Sequence, residues 1–287
     1  MKQNIDNSQL TNPDYVINKE LHLQSPTGAY TRTSIAFCNT SRTHGLLVAP
    51  VKEFENKPHV LLSSLDEVFE QDGCSFKLGF HQFPGTYYPE GINFIQNVSL
   101  TPHPKIVYCM GALKLVKELY LDPKNDVLQI RYSLTEACKP MTLKLFPYLA
   151  FRQADKLCQA NGNTNFSFRN IENGIKMKLY FGYPYLFMQM TKEAQFVFSP
   201  DWHYDFSYND DRLFGDEWLE DLYMPGYIET TLSEGQRMLI TISLRELSND
   251  ELTRRLRHFG MRQKPKRKLK TTAKQKVKEG LKTKNPV

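Results

Sequence analysis

The stretch Leu128-Gln129-Ile130-Arg131-Tyr132-Ser133-Leu134 alternates apolar and polar residues without a break. The same period of two returns at residues 141–145 and 175–181. Successive side chains of a strand point to opposite faces, so each stretch offers one face to a core and one to water. The pattern therefore predicts antiparallel strands, which commonly have one buried and one solvated face.

Turn signals separate the alternating stretches. They are Asp72-Gly73, Asn173-Gly174 and Glu234-Gly235. Asp-Gly and Asn-Gly supply the positive φ angles of tight hairpins, so a meander of antiparallel strands is favoured over helical crossovers. We expect an all-β fold, a large antiparallel sandwich of two sheets, for which 287 residues are ample.

The pattern divides the chain into four segments. Residues 1–16 are predicted to be a polar lead, 17–247 the sandwich, 248–260 a helix, and 261–287 a basic flexible tail. Within the third segment the helix is expected from Asp250 to His258. Ser248 and Glu251 match a capping box there, and Gly260 can end the helix in a left-handed conformation.

The positive charge of the chain is concentrated in the predicted tail. Of 37 basic and 31 acidic residues, eleven basic residues and one acidic residue lie beyond residue 261. The remaining 26 basic and 30 acidic residues give residues 1–261 a net charge of −4. A run of like charges is usually a solvated tail, with an RNA or ribosome contact as the alternative. The tail has no aromatic residue on which a base could stack.

The five cysteines are widely spaced and form no C-x-x-C pair. Neither a disulfide framework nor a zinc knuckle is indicated, and reduced thiols in a cytoplasmic protein are the expectation. No signal peptide and no apolar run of membrane-spanning length is visible, so no membrane partner is expected. His44 has no second histidine or cysteine at ligand spacing, and no metal or cofactor is expected.

Several motifs follow one another along the chain. They are Cys38-Asn39-Thr40-Ser41-Arg42-Thr43-His44-Gly45-Leu46-Leu47-Val48-Ala49-Pro50, His59-Val60-Leu61-Leu62-Ser63-Ser64-Leu65-Asp66-Glu67, Tyr148-Leu149-Ala150-Phe151-Arg152, Asp201-Trp202-His203-Tyr204 and Glu220-Asp221-Leu222-Tyr223-Met224-Pro225-Gly226-Tyr227. Over roughly residues 17 to 246 the chain resembles the N-terminal domain of bacterial and archaeal glycogen debranching enzymes. Thr43 stands where that family has an aromatic or basic residue.

The resemblance implies a β-supersandwich like that of galactose mutarotase, with the catalytic carboxylates on a C-terminal α/α barrel. Twelve helices of about 11–12 residues cannot fit into the 27 residues after Gly260, so the chain is expected to lack this barrel. Its implied role is to support α-glucan binding, of glycogen or maltooligosaccharides, and debranching by an amylo-α-1,6-glucosidase barrel. The isolated chain would then be inactive as a glucosidase.

Two other functions remain open on the sequence. The domain could carry the 4-α-glucanotransferase activity of debranching, which demands a facing pair of acids in a groove. It could also be a non-catalytic scaffold or RNA-associated protein that uses the basic tail. No Gly-rich phosphate loop and no G-x-S-x-G elbow is present, which disfavours phosphotransfer and serine hydrolysis.

Arg42 and His44 are the first candidate site residues, because they precede the apolar residues 46–48. Placed on one side of an extended segment, Arg42 could bind sugar hydroxyls while His44 orients it. Alternatively the pair forms a structural latch. A buried arginine then requires a carboxylate partner, for which Asp66 or Glu67 is the first choice.

Asp201, Trp202 and Tyr204 are the second candidates, in a polar segment that is not predicted to be a regular strand. Flat rings stack on the apolar faces of pyranoses while Asp and Asn bind hydroxyls, so this composition suits a glucan. Anchoring of a loop by the same aromatic residues is the alternative.

The carboxylate doublets Asp66-Glu67 and Glu220-Asp221 are the remaining candidates. Neighbours on a strand point to opposite faces, so neither doublet is by itself a facing acid pair. We expect them to have structural or interface roles together with Arg152, with Arg32 and Arg42 as other possible cations.

Deleting residues 264–287 should change the melting temperature little, because a charged segment without an apolar face adds no core. The same segment should be cut rapidly in limited proteolysis. A drop of more than about 4–8 °C on deletion would show that the tail packs against the domain.

Overall fold

The computed structural model describes residues 5–261, so the predicted basic tail from residue 262 onward lies outside the described residues. Within this range there are three α-helices, namely α1 (Pro13–Ile17), α2 (Asn209–Leu213) and α3 (Asn249–Arg257). The strands are β1 (Glu20–Gln24), β2 (Tyr30–Ser34), β3 (Gly45–Val51), β4 (Lys57–Gln71), β5 (Cys74–Lys77), β6 (His81–Phe83), β7 (Thr86–Tyr88), β8 (Ile95–Ser99), β9 (Lys105–Met110), β10 (Leu113–Leu121), β11 (Leu128–Glu136), β12 (Met141–Gln153), β13 (Phe168–Ile171), β14 (Gly174–Met177), β15 (Leu186–Met190), β16 (Gln195–Ser207), β17 (Leu219–Leu232) and β18 (Arg237–Ser243). Short 3₁₀ turns occupy Asn7–Gln9, Lys52–Phe54 and Gly91–Phe94.

Two eight-stranded sheets form a sandwich, which confirms the predicted all-β fold. The front sheet has the order β1-β2-β3-β4-β12-β17-β16, with β5 paired to β4. The back sheet has the order β13-β14-β15-β18-β11-β10-β9-β8. Neighbouring strands run antiparallel in both, as in the β12–β17 and β11–β18 pairs. The short hairpin of β6 and β7 forms a third, two-stranded sheet.

Two of the three predicted turns are hairpins and the third is not. Asp72-Gly73 joins β4 to β5 through the pair Gln71↔Cys74, and Asn173, with φ 58°, closes the hairpin of β13 and β14. Glu234-Gly235 is a turn between two strands, as predicted, but it closes no hairpin, because β17 belongs to the front sheet and β18 to the back sheet. The turn instead carries the chain from one sheet to the other, where Gly235 donates to the carbonyl of Leu134 at 2.8 Å.

The structure differs from the sequence predictions in three further places. The strand predicted over residues 175–181 ends at Met177, and Phe181 is 93% exposed, because the chain must turn there to begin β15. The segment around Trp202 lies in the long strand β16, although it was not predicted to be a strand. Residues 5–16 of the predicted polar lead include most of α1 and bury Leu10 and Val16.

The predicted C-terminal helix is confirmed as α3. The Ser248 hydroxyl accepts from the Glu251 amide at 3.3 Å, which is one half of the expected capping box. The Glu251 carboxylate binds Arg245 and Arg255 instead of completing the box. Arg255 also contacts Asp122 at 2.7 Å, so the helix is fastened to the loop between β10 and β11.

The inner faces of the two sheets enclose the core, and a buried charge pair lies within it. Lys117 of β10 and Glu67 of β4 approach to 2.6 Å, with both side chains almost fully buried. The Tyr132 hydroxyl donates to the same carboxylate, and the Lys117 ammonium lies 3.6 Å from the centre of the Phe37 ring. Burial raises the pKa of Glu67, and Lys117 offsets part of that rise. The pair joins the front sheet to the back sheet.

We expect Lys117→Met to lower the free energy of unfolding by about 3–5 kcal/mol, because it leaves the Glu67 carboxylate buried without its counter-charge. Adding Glu67→Gln should recover most of that loss, since no uncompensated charge remains. Lys139→Met is the matched control. Lys139 pairs with Asp72 at 2.9 Å on the surface, and its loss should have a much smaller effect than that of Lys117, because water solvates both charges of the surface pair.

Urea unfolding of the four proteins measures these differences. A Lys117→Met variant as stable as the Lys139→Met control would contradict the assigned role of the core pair.

Candidate functional site

Residues 41–44, directly before β3, form a tight turn and not the extended segment expected from the sequence. The amide of His44 donates to the carbonyl of Ser41 at 2.9 Å. Tyr30 of β2 donates its hydroxyl to the carbonyl of Thr43 at 3.0 Å. Because the chain reverses here, Arg42 and His44 no longer share one side of a strand.

His44 is buried and bonded within its own segment. Its Nδ1 accepts from the amide of Thr40 at 3.1 Å. Burial lowers the pKa of His44 to about 4, so the ring is neutral near pH 7 and Nδ1 stays available as an acceptor. The side chain thus holds the turn closed from inside.

Arg42 pairs with the segment that follows β16. Its Nε lies 3.4 Å from a carboxylate oxygen of Asp211, and Nη2 donates to the carbonyl of Glu217 at 2.7 Å. A second carboxylate, that of Asp216, lies 3.4 Å from the guanidinium. The predicted partners Asp66 and Glu67 were therefore wrong. In β4, Glu67 pairs with Lys117 and Asp66 bonds His81, whereas α2 lies directly over the turn.

Two carboxylates of α2 complete the attachment. Asp211 accepts from the Arg42 amide at 2.6 Å and from the Ser41 hydroxyl at 3.2 Å. Asp210 accepts from the Thr40 hydroxyl at 2.6 Å, and its amide donates to the carbonyl of Thr40 at 2.8 Å. We call this assembly of Thr40, Ser41 and Arg42 with Asp210 and Asp211 the latch.

The latch presents two apolar side chains to solvent. Leu213 ends α2 and is 76% exposed, and the next residue, Phe214, is 85% exposed. Beside them the guanidinium of Arg212 stacks over the Trp218 ring at 4.9 Å. No local pattern marks this patch, because the two residues follow a polar Asn-Asp-Asp-Arg run.

Each carboxylate doublet splits between two sides of the front sheet, as strand alternation requires. Glu67 points into the core, whereas the Asp66 carboxylate accepts from Nε2 of His81 at 2.9 Å on the other side. Gly79 packs against Asp66 so closely that an added Cβ would lie 2.2 Å from its carboxylate. His81 was not among the sequence candidates, since nothing in its local pattern marks it.

The second doublet is held by a buried network. Arg152 of β12 forms a two-pronged ion pair with Glu220, and its Nη2 donates at 2.8 Å. The Tyr208 hydroxyl and the Cys158 amide donate to the same carboxylate. Asp221 faces the other way and accepts from the amides of Ala160 and Asp205 at 2.9 and 3.1 Å.

The structure separates the residues predicted to contact a glucan. Asp201 pairs in register with Met224 and Trp202 with Tyr223, so their side chains point to opposite faces of β16. The Trp202 ring packs edge-on against Tyr223 at 5.5 Å on the side of the back sheet. Tyr204 is exposed and lies within the register shift between His203 and Phe206. Arg42 and His44 contact different residues from these three.

Residues 5–261 contain no group of three or more His, Cys, Asp or Glu side chains arranged to hold a metal ion. In the same range no helix is long and apolar enough to cross a membrane.

The fold and the latch together define a two-sheet β-sandwich domain in which the turn before β3 is bonded to α2. A family model described as "Glycogen debranching enzyme N terminal" matches residues 19–239. The match covers well over half of the 287 residues, so the chain belongs to the glycogen debranching enzyme N-terminal family.

Two solved structures are similar to the chain. A bacterial glucoamylase complexed with acarbose has a TM-score of 0.40 and 8% identity, over 83% of this chain and 32% of that one. A polysaccharide lyase has a TM-score of 0.30 and 12% identity, over 68% of this chain and 27% of that one. This chain thus spans about a third of the glucoamylase's length. No curated protein sequence matches it.

Asp211→Ala should lower the free energy of unfolding by about 2–3 kcal/mol, because it removes the acceptor of an amide, a hydroxyl and a guanidinium together. Arg42→Ala should cost only about 1 kcal/mol, since its amide keeps the bond to Asp211. Arg212→Ala, on the exposed side of α2, is the control and should cost less than either.

Stability and maltooligosaccharide affinity should be measured together for all three variants. An Arg42→Ala protein that melts like the parent but has lost glucan binding would place Arg42 in a sugar site and overturn the latch.

Proposed function

We propose that this chain is the domain of a glycogen debranching system that docks an amylo-α-1,6-glucosidase barrel and supports its binding of α-glucan. The observation that carries this proposal is the latch, which fixes a short helix so that Leu213 and Phe214 project into solvent. The family description supports it, since an N-terminal part of a debranching enzyme has a further part to contact.

A binding partner explains the exposure of Leu213 and Phe214 better than any role of these side chains in the fold of the domain. Large apolar side chains on a surface remain in contact with water at a free-energy cost unless something covers them. α2 has only five residues, yet hydrogen bonds and charge pairs to Thr40, Ser41 and Arg42 hold it in place. A helix held in place in this way can bind a partner through two adjacent apolar side chains with little loss of conformational freedom.

The buried carboxylates support a non-catalytic role. Glu67 is paired with Lys117, Glu220 with Arg152, and Asp66 with His81. Glycosyl transfer by a facing acid pair requires two carboxyl groups about 5–9.5 Å apart across an open groove. Acids that already neutralise a buried cation or bond a histidine are poorly suited to that work. This favours a docking domain over a 4-α-glucanotransferase.

A cytoplasmic location is part of the proposal. All five cysteines are free thiols in the structure, which is the state that a reducing compartment maintains. The alternative of an RNA-associated scaffold depends on the basic tail, and that segment lies outside the described residues.

The purified chain alone should release no glucose from α-1,6-branched limit dextrin. It should bind the glucosidase barrel of a bacterial glycogen debranching enzyme supplied as a separate chain. The double variant Leu213→Ser/Phe214→Ser should weaken that binding at least about tenfold, as removal of apolar anchors at an interface does. Calorimetric titration of barrel against domain measures it.

Phe181→Ser is the matched control, because Phe181 is 93% exposed on the loop between β14 and β15. The control should bind the barrel like the parent. Equal loss in both variants, or glucose release by the chain alone, would contradict the proposal.

A further inference from the structure

The edge strands of the two sheets lie at the same side of the sandwich. β16 is the last strand of the front sheet, and β13 is the last strand of the back sheet. The Phe196 and Phe198 rings of β16 contact Phe168 of β13, and Phe166, just before β13, contacts Tyr223 of β17. We call the space between these two edges the edge cleft.

The first aromatic group of the edge cleft is centred on Phe168. Its ring contacts Phe196 at 4.7 Å with a 63° interplanar angle, and it stacks on Phe198 at 5.4 Å and 28°. Phe198 is nevertheless 45% exposed. A large part of the Phe198 side chain is therefore open to solvent although its ring is stacked on Phe168.

The second group lies about four residues further along β16, or about 13 Å. Here the Tyr223 ring contacts Trp202 at 5.5 Å and Phe166 at 5.8 Å. Phe166 is 52% exposed, whereas Tyr223 is buried. Two half-exposed phenyl rings, those of Phe198 and Phe166, thus lie beside the partly buried rings of Phe168, Phe196 and Trp202 and the buried ring of Tyr223.

The Tyr223 hydroxyl is buried without a hydrogen-bond partner among the described residues. Buried polar groups in proteins almost always have one, so an unpaired hydroxyl beneath exposed rings indicates a missing partner. Burial also raises the pKa of Tyr223 to about 12, and the hydroxyl therefore keeps its proton and can donate at neutral pH.

A pocket of about 570 Å³ continues the edge cleft past Phe196. Its polar lining is mainly neutral and includes the amides of Asn170, Asn173 and Gln195, with Lys192 and Glu193 as one charge of each sign. A lining without net charge suits an uncharged ligand rich in hydroxyl groups. Amides can both donate to and accept from such groups.

We propose that the edge cleft binds a linear α-glucan chain, with sugar rings stacked on Phe198 and Phe166 and hydroxyls bonded in the neighbouring pocket. The choice of an α-linked glucan rests on the proposed function, whereas the saccharide character follows from the rings and amides themselves. Flat aromatic surfaces beside a few placed polar groups are the usual composition of a small-molecule site.

An extended peptide fits the edge cleft less well. Peptides that add to a sheet edge need a regular row of free amides and carbonyls. β16 has register shifts between Phe198 and Asp201 and between His203 and Phe206, and Pro200 lies inside the first shift. Bulges and proline interrupt the row of main-chain donors.

Tryptophan fluorescence can test the proposal, because the chain has two tryptophans and only Trp202 lies in the edge cleft. Titration with maltoheptaose should change the emission of the parent and of Trp218→Phe. The change should be lost in Trp202→Phe. No change in the parent up to millimolar saccharide, or an equal change in Trp202→Phe, would overturn the site.

Phe198→Ala and Phe166→Ala should each raise the Kd for maltoheptaose at least about fivefold, the effect of losing one ring contact. Phe181→Ala should leave it unchanged. Parent-like affinity in both cleft variants, with unchanged melting temperatures, would contradict the proposal. Equal affinity of the parent for cellohexaose would overturn the assignment to α-linked glucan.

These titrations use no glucosidase barrel, so they test the edge cleft even if docking at Leu213 and Phe214 fails. Conversely, a chain that docks the barrel but binds no maltoheptaose would support the docking proposal and contradict glucan binding in the edge cleft.

Discussion

The ion pair between Glu67 and Lys117 is the contact on which the arrangement of the two sheets depends. A carboxylate and an ammonium can stay inside an apolar core only if they meet, because each alone would lose its hydration without compensation. Glu67 belongs to β4 and Lys117 to β10, so their meeting fixes how the front sheet sits on the back sheet. Tyr132 of β11 adds a hydroxyl donor to the same carboxylate. A shift by one residue in either strand would turn one of these charges outward.

Irregularities in the front sheet then decide where the candidate surfaces lie. Gly226 has φ 136°, and an added Cβ there would lie 2.1 Å from the carbonyl oxygen of Val197, so glycine allows β16 to approach β17. The register shift that follows Phe198 turns Trp202 toward the back sheet and leaves Asp201 on the opposite face. Alternation along the strand separates these two neighbours, which a glucan site predicted from sequence would have used together. The bulge decides that Trp202 is the one that faces the edge cleft.

Local chemistry made several features predictable. Asp72-Gly73 closes a hairpin because the conformation that its two residues favour matches a two-residue turn. Ser248 begins α3 because its hydroxyl satisfies an amide within the same turn. Glu234-Gly235 has similar turn chemistry but joins two sheets, since turn residues set backbone angles and not the sheet that the next strand enters. The strand around Trp202 was missed because bulges break the alternation that identifies a strand.

The sequence by itself determined the fold class, the family and the requirement that Arg42 find an acid. It did so because alternation, turn residues and the permanent charge of a guanidinium are properties of short segments. Only the tertiary structure decided that the acid is Asp211, which is 169 residues further along the chain. It alone also brought Phe166, Phe198 and Tyr223 to one edge of the sandwich. Such contacts depend on strand order and register across the whole sheet, which no local pattern contains.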